Sequence, residues 1–142
     1  MKTIEKNYDF DNKTGRNHEG PNANIPVKRL TAGSIIGDNV ENYEGENLGT
    51  IDDLMINIQT GIVEYVVIEY GSFLGLGGKM FAIPFEELEL DEEKECFIVS
   101  RDMNYLKNAP GFDQNHWPDT NDHTEYLNQV TQYYQVANGM YV

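Results

Sequence analysis

The chain has 142 residues, 39% hydrophobic and 11% aromatic, which is material for one compact core and too little for two ordinary domains. Its 24 acids against 10 bases give a net charge of −14, and six of those bases precede Leu30, so the rest of the chain carries twenty acids against four bases, a balance near −16. That charge argues against nucleic acid and against an anionic membrane surface as partners, since both select a basic face. No stretch approaches the roughly 18 apolar residues of a membrane helix, and Met1 to Phe10 lacks the apolar run of a signal peptide. The expected location is therefore cytoplasmic, with no direct membrane insertion. A single cysteine, Cys96, excludes an internal disulfide and a multi-thiolate metal site, and its place in the alternating run Glu95-Cys96-Phe97-Ile98-Val99 reads as core filling.

Residues 1–26 are rich in Asn, Gly, Asp and Lys without apolar periodicity, the pattern of a flexible N-terminal arm. Within it, Asp9 to Gly15 has the outline of a calcium loop. Lys13 occupies a ligand position, however, the glycine is one place late, and Gly20 stands where the bidentate Glu belongs.

Strand signals then follow at short intervals, separated by turn residues. Gly37 to Tyr43 is the first, ending at Glu44-Gly45-Glu46-Asn47. Gly49 to Ile58 is the second, with Leu54, Ile56 and Ile58 on one face and a turn at Gln59-Thr60-Gly61. Ile62 to Tyr70, rich in Val, Ile and Tyr and apolar on both faces apart from Glu64 and Glu69, is the expected central strand. After a glycine-rich hairpin at 71–78 come Lys79 to Ile83, a short Leu88 to Leu90, and Cys96 to Ser100, with the acidic run Asp91 to Glu95 as a solvated turn. Pro84 suits a strand end, where a ladder N–H is dispensable. The pattern predicts a mainly β fold of about six strands over residues 27–101, a small sandwich or a closed barrel.

Residues 102–142 change period, giving a helical, aromatic-rich extension. Met103 to Ala109 predicts a short helix stopped by Pro110-Gly111, and His123 to Ala137 predicts a second, capped by Asp122 with Glu125 reaching back. Tyr126, Leu127, Val130, Tyr133, Tyr134 and Ala137 follow the i, i+3, i+4 spacing, so this face packs on the barrel or on a second subunit.

The chemical candidates are weak in spacing. The loop Gly71 to Lys79 lacks the P-loop's first glycine, which is Phe73, and its Ser/Thr, which is Met80; it also joins strand to strand. Its apolar Phe73, Leu74 and Leu76 instead suggest a contact patch. Ser72 and His116 lack a nucleophile elbow. His116 and His123 flank an acidic loop with Asp113, Asp119 and Asp122, without a fixed metal-ligand spacing. Adjacent Asp52 and Asp53 face opposite ways on a regular strand.

The stretch Gly37-Asp38-Asn39-Val40 through Glu44-Gly45-Glu46-Asn47-Leu48-Gly49, Ile51-Asp52-Asp53-Leu54 and Thr60 to Ile68 resembles the opening of a PRC-barrel domain, and Ala82-Ile83-Pro84-Phe85 fits its later part. This fold is shared by the cytoplasmic part of the photosynthetic reaction-centre H subunit and the C-terminal domain of a bacterial ribosome maturation factor. The tail, with Ala109-Pro110-Gly111-Phe112-Asp113, Trp117-Pro118-Asp119 and Tyr133-Tyr134, is similar to the extension of stand-alone bacterial members. The resemblance implies a non-enzymatic assembly or docking module, with no catalytic residues, cofactor or metal. Its implied partner is another protein or a second copy of this chain. The expected interaction surface comprises Phe73, Leu74, Leu76, Phe112, Trp117, Tyr126, Tyr133 and Tyr134. The alternative is a small-ligand or cation-binding protein using the acidic surface and the loop around His116 and His123.

Overall fold

A computed structural model describes residues 21, 28–70, 79–91 and 96–138. Apart from Pro21, the expected arm lies outside the described residues, as do Ser72, Phe73, Leu74 and Leu76 of the glycine-rich loop and most of the acidic turn before Cys96.

The first described element is a single helical turn, α1 (Ala32–Ile35), which the sequence pattern did not announce. The Thr31 hydroxyl accepts from the Ser34 N–H at 3.3 Å, and the turn buries Ile35. Seven strands follow, β1 (Asn39–Glu41), β2 (Asn47–Asn57), β3 (Ile62–Tyr70), β4 (Lys79–Pro84), β5 (Glu89–Asp91), β6 (Cys96–Ile98) and β7 (Gly111–Asp113). They form one sheet in the order β5-β6-β1-β2-β3-β4-β7. All neighbours are antiparallel except β1 and β6, which run parallel with Val40 opposite Phe97.

Two features differ from the expected six-stranded closed barrel. β7 is an added strand, formed where the chain returns beyond a short helix α2 (Met103–Lys107) and pairs Gly111 to Asp113 with Phe81 to Lys79. A side chain at Gly111 would meet the Met80 carbonyl at 2.7 Å, so this pairing depends on glycine. Second, the sheet is not closed: β5 and β7 stand at its two edges and do not pair with each other among the described residues. Closure requires strands long enough to tilt and stagger around an axis, and β5, β6 and β7 have three residues each. The apolar interior instead continues into the helices. Leu106 of α2 and Val130 and Tyr134 of α3 (Thr124–Asn138) share one core with Val40, Leu48, Ile51 and the β3 and β4 side chains.

β3 is the central strand the sequence indicated, paired on both sides, with Tyr65, Val66, Val67 and Ile68 all fully buried. Pro84 closes β4 opposite Tyr65, beyond the segment that pairs with β7, at the strand end the sequence indicated. Cys96 is buried in β6.

β2 departs from simple alternation. Its register against β3 shifts between Ile51 and Asp53 and again between Met55 and Ile56. The first shift leaves Asp52 and Asp53 both exposed, where a regular strand would oppose them, and the Asp53 carboxylate accepts from the Leu54 N–H at 2.8 Å. The second breaks up the expected face of Leu54, Ile56 and Ile58: Leu54 packs against the core and Ile56 turns outward, while Ile58 falls past the end of β2 in the exposed hairpin turn. α3 forms within one residue of the expected span. It begins at Thr124, and just before it the Asp119 carboxylate accepts from the N–H groups of Asn121 and Asp122 at 2.8 and 3.0 Å, which orders the loop leading into the helix.

Candidate binding cleft

The tip of the β2–β3 hairpin approaches the loop before α3, and between them lies a cleft of about 570 Å³. The hairpin lines it with Met55, Ile56, Asn57, Ile58, Gln59 and Glu64. The loop and first turns of α3 line it with Thr120, Asn121, His123, Thr124 and Leu127, so aliphatic side chains from both elements are interspersed with amide and hydroxyl groups. Three isoleucines crowd this tip in contact with solvent: Ile58 is 92% exposed, Ile62 59% and Ile56 44%.

His123 fixes the loop to the sheet. Its Nδ1 lies 2.8 Å from the Asp119 carbonyl and its Nε2 lies 2.7 Å from the Tyr65 hydroxyl. A carbonyl only accepts, so Nδ1 carries the proton, and in the neutral ring Nε2 accepts from the Tyr65 O–H. Burial, reinforced by the neighbouring Glu64 charge, holds the Tyr65 phenol well above the ordinary tyrosine range, which keeps it a donor. The two rings are stacked with centroids 5.7 Å apart. Asp119 is shifted downward by the N–H groups of Asp122 and Asn121 that its carboxylate accepts.

The aromatic residues singled out in the sequence fall into two groups. Trp117, 40% exposed, leans on Phe112 at 4.9 Å between centroids; Phe112 meets Tyr126 edge-on at 5.7 Å, and Tyr126 meets Tyr65 at 6.0 Å. Tyr126 also donates to the Pro110 carbonyl at 3.3 Å. This chain of rings seats β7 and α3 beside the cleft. Tyr133 and Tyr134 lie elsewhere, against α2. There the Arg101 guanidinium sits 4.6 Å from the Tyr105 ring centre and donates twice to one oxygen of Glu87, at 3.2 and 2.9 Å. Tyr134 is 2% exposed and belongs to the core. A shallower depression of about 400 Å³ lies over Arg101, Tyr105 and Tyr133.

The two loop histidines have separate surroundings: His116 is exposed, with Nδ1 3.9 Å from Asp113, while His123 is engaged at both nitrogens. Among the described residues no three His, Cys, Asp or Glu side chains gather into a metal-holding group, and no helix is long and apolar enough to cross a membrane. Sequence reading missed Ile56, Ile58, Ile62 and Tyr65 as parts of this region. The isoleucines looked like core by alternation, and Tyr65 is 58 residues away from the histidine it holds.

A model of the family described as PRC-barrel domain matches residues 28–102, more than half of the chain, ending where α2 is about to begin. No curated protein matches the sequence. With the family's span coinciding with the sheet from its first turn through β6, the chain belongs to the PRC-barrel domain family.

Proposed function

We infer that this PRC-barrel module is non-enzymatic and works by binding another protein through the hairpin tip and the adjoining cleft. The observation that carries this reading is the gathering of Ile56, Ile58 and Ile62 in solvent at one tip. Single exposed apolar side chains are ordinary, but three together beside a concavity mark a contact surface, and covering each would contribute roughly 1.5–3 kcal/mol at most. Glu64, Asn57 and Thr124 at the same cleft supply polar groups that orient a partner. A photo-crosslinking residue placed at Ile58 in the native host tests this, with Gln132, exposed on α3, as the control position. Adducts to protein at position 58 well above those at 132 are expected; equal yields at both positions refute the reading.

The cleft's size favours one second reading, a small ligand, since about 570 Å³ lies within the range of ligand pockets. Thermal-shift measurements against a metabolite panel separate the two, because a ligand bound only by the folded chain raises the melting temperature.

A further inference from the structure

We propose that the cleft between the hairpin tip and the start of α3 receives an extended peptide segment bearing lysine or arginine, anchored by one aliphatic side chain against Ile56 and Ile58. This rests on the protein-binding reading above and names the chemistry of the partner. The anchor follows from Ile56 and Ile58, which line the cleft and are already open to water, so covering them requires no rearrangement. Asn57 and Gln59 on the hairpin and Asn121 and Thr124 at the start of α3 also line the cleft, and their amide and hydroxyl groups match the alternating N–H and C=O groups of an extended chain.

The sign of the partner follows from the charges around the cleft. Among the described residues that line it there is a carboxylate, Glu64, and no lysine or arginine. Exposed Asp119 and Asp122 lie in the loop before α3, and exposed Glu125 in its first turn. The helix start contributes about half a positive charge, which four carboxylates outweigh. Beyond this rim the chain from Leu30 onward carries a balance near −16, which attracts a cationic segment and repels an anionic one.

The test uses the full chain and three labelled peptides read by fluorescence anisotropy: one of lysine and glycine with a central leucine, one with serine in place of the leucine, and one with glutamate in place of each lysine. The leucine–lysine peptide is expected to bind about tenfold or more tightly than either control. Ile58→Ser is expected to remove that advantage, and Glu64→Gln or added salt to weaken binding several-fold. Because Ile58 is 92% exposed, its substitution leaves the fold intact, and a thermal melt verifies this. Affinities of all three peptides within about twofold of each other, or binding indifferent to Ile58→Ser, overturn the proposal. So does a doubled solution mass that Ile58→Ser abolishes, which assigns the cleft to a second copy, or Ile58-dependent binding to neutral phosphatidylcholine vesicles. Crosslinking at position 58 with no preference among the peptides discards the basic segment and keeps the protein-binding reading; loss of the crosslinks discards both.

Discussion

Tyr105 and Tyr133 exchange hydrogen bonds: the Tyr105 hydroxyl donates to the Tyr133 carbonyl at 3.0 Å, and the Tyr133 hydroxyl donates to the Tyr105 carbonyl at 2.7 Å. Their rings lie 4.6 Å apart between these two bonds, so the pair ties α2 to α3 at two points. Tyr105→Phe and Tyr133→Phe should each destabilise the protein by about 1 kcal/mol. Because the two bonds share one geometry, the double variant should cost less than the sum of the singles. Urea unfolding of the four proteins in a double-mutant cycle measures this, and strict additivity would show that the bonds act independently.

Gly49 and Gly61 both hold positive φ, +141° and +78°, but for different reasons. A side chain at Gly49 would sit 2.5 Å from Ile68 Cγ2 and 2.6 Å from the Glu69 carbonyl oxygen, backbone and core that cannot yield. At Gly61 there is open space. Gly61→Ala should therefore cost about 1 kcal/mol of backbone strain, while Gly49→Ala adds overpacking of about 1–3 kcal/mol on top. Chemical denaturation should rank the two variants in that order.

Asn42 is a buried side chain that organises the β1–β2 turn. Its carbonyl oxygen accepts from the N–H groups of Glu44 and Glu46 at 3.1 and 2.9 Å, and its amide donates to the Glu46 carboxylate at 2.7 Å. Asn42→Ala should cost about 1–3 kcal/mol by leaving those groups without their partner. Asn42→Asp keeps the acceptor but sets one carboxylate against another, so its stability should recover as pH falls and one of the two is protonated. Thermal melts of both variants across the acidic range test this contrast.

Burial raises the phenols of Tyr65, Tyr126 and Tyr134 above the ordinary value of 10.0. A phenol whose folded pKa exceeds its unfolded one favours the native state fully below pH 10.0; above it, the unfolded chain releases the proton first and stability falls. Unfolding free energy should hold up to about that pH and decline beyond, and part of the tyrosinate absorbance of the nine tyrosines should appear only as the fold opens. The Tyr134 hydroxyl is buried without a hydrogen-bond partner among the described residues. Tyr134→Phe should thus leave stability at neutral pH unchanged or slightly higher, and flatten the alkaline decline. A loss above about 1 kcal/mol at neutral pH would contradict the unpartnered hydroxyl.

Much of the framework is legible from local pattern. The run Tyr65 to Ile68 at the middle of β3 is buried on both faces because a strand paired on both sides and covered above and below leaves no face for polar alternation, and that demand is written into consecutive residues. The apolar stripe of α3 likewise follows from 3.6-residue periodicity, which put Val130 and Tyr134 in the core before any partner was known. The acidic balance beyond Leu30, and with it the sign of any charged partner, is a property of composition. Tertiary structure decided what depends on a second strand or a distant loop. The β2 register shift that turns Ile56 outward is settled by the ladder with β3, which alternation within β2 does not contain. β7 is a strand only because β4 offers it an unpaired edge across a glycine. Tyr65 and His123 meet because the sheet and α3 fold over one another, and hydrogen-bond partners 58 residues apart leave no periodic trace in the chain.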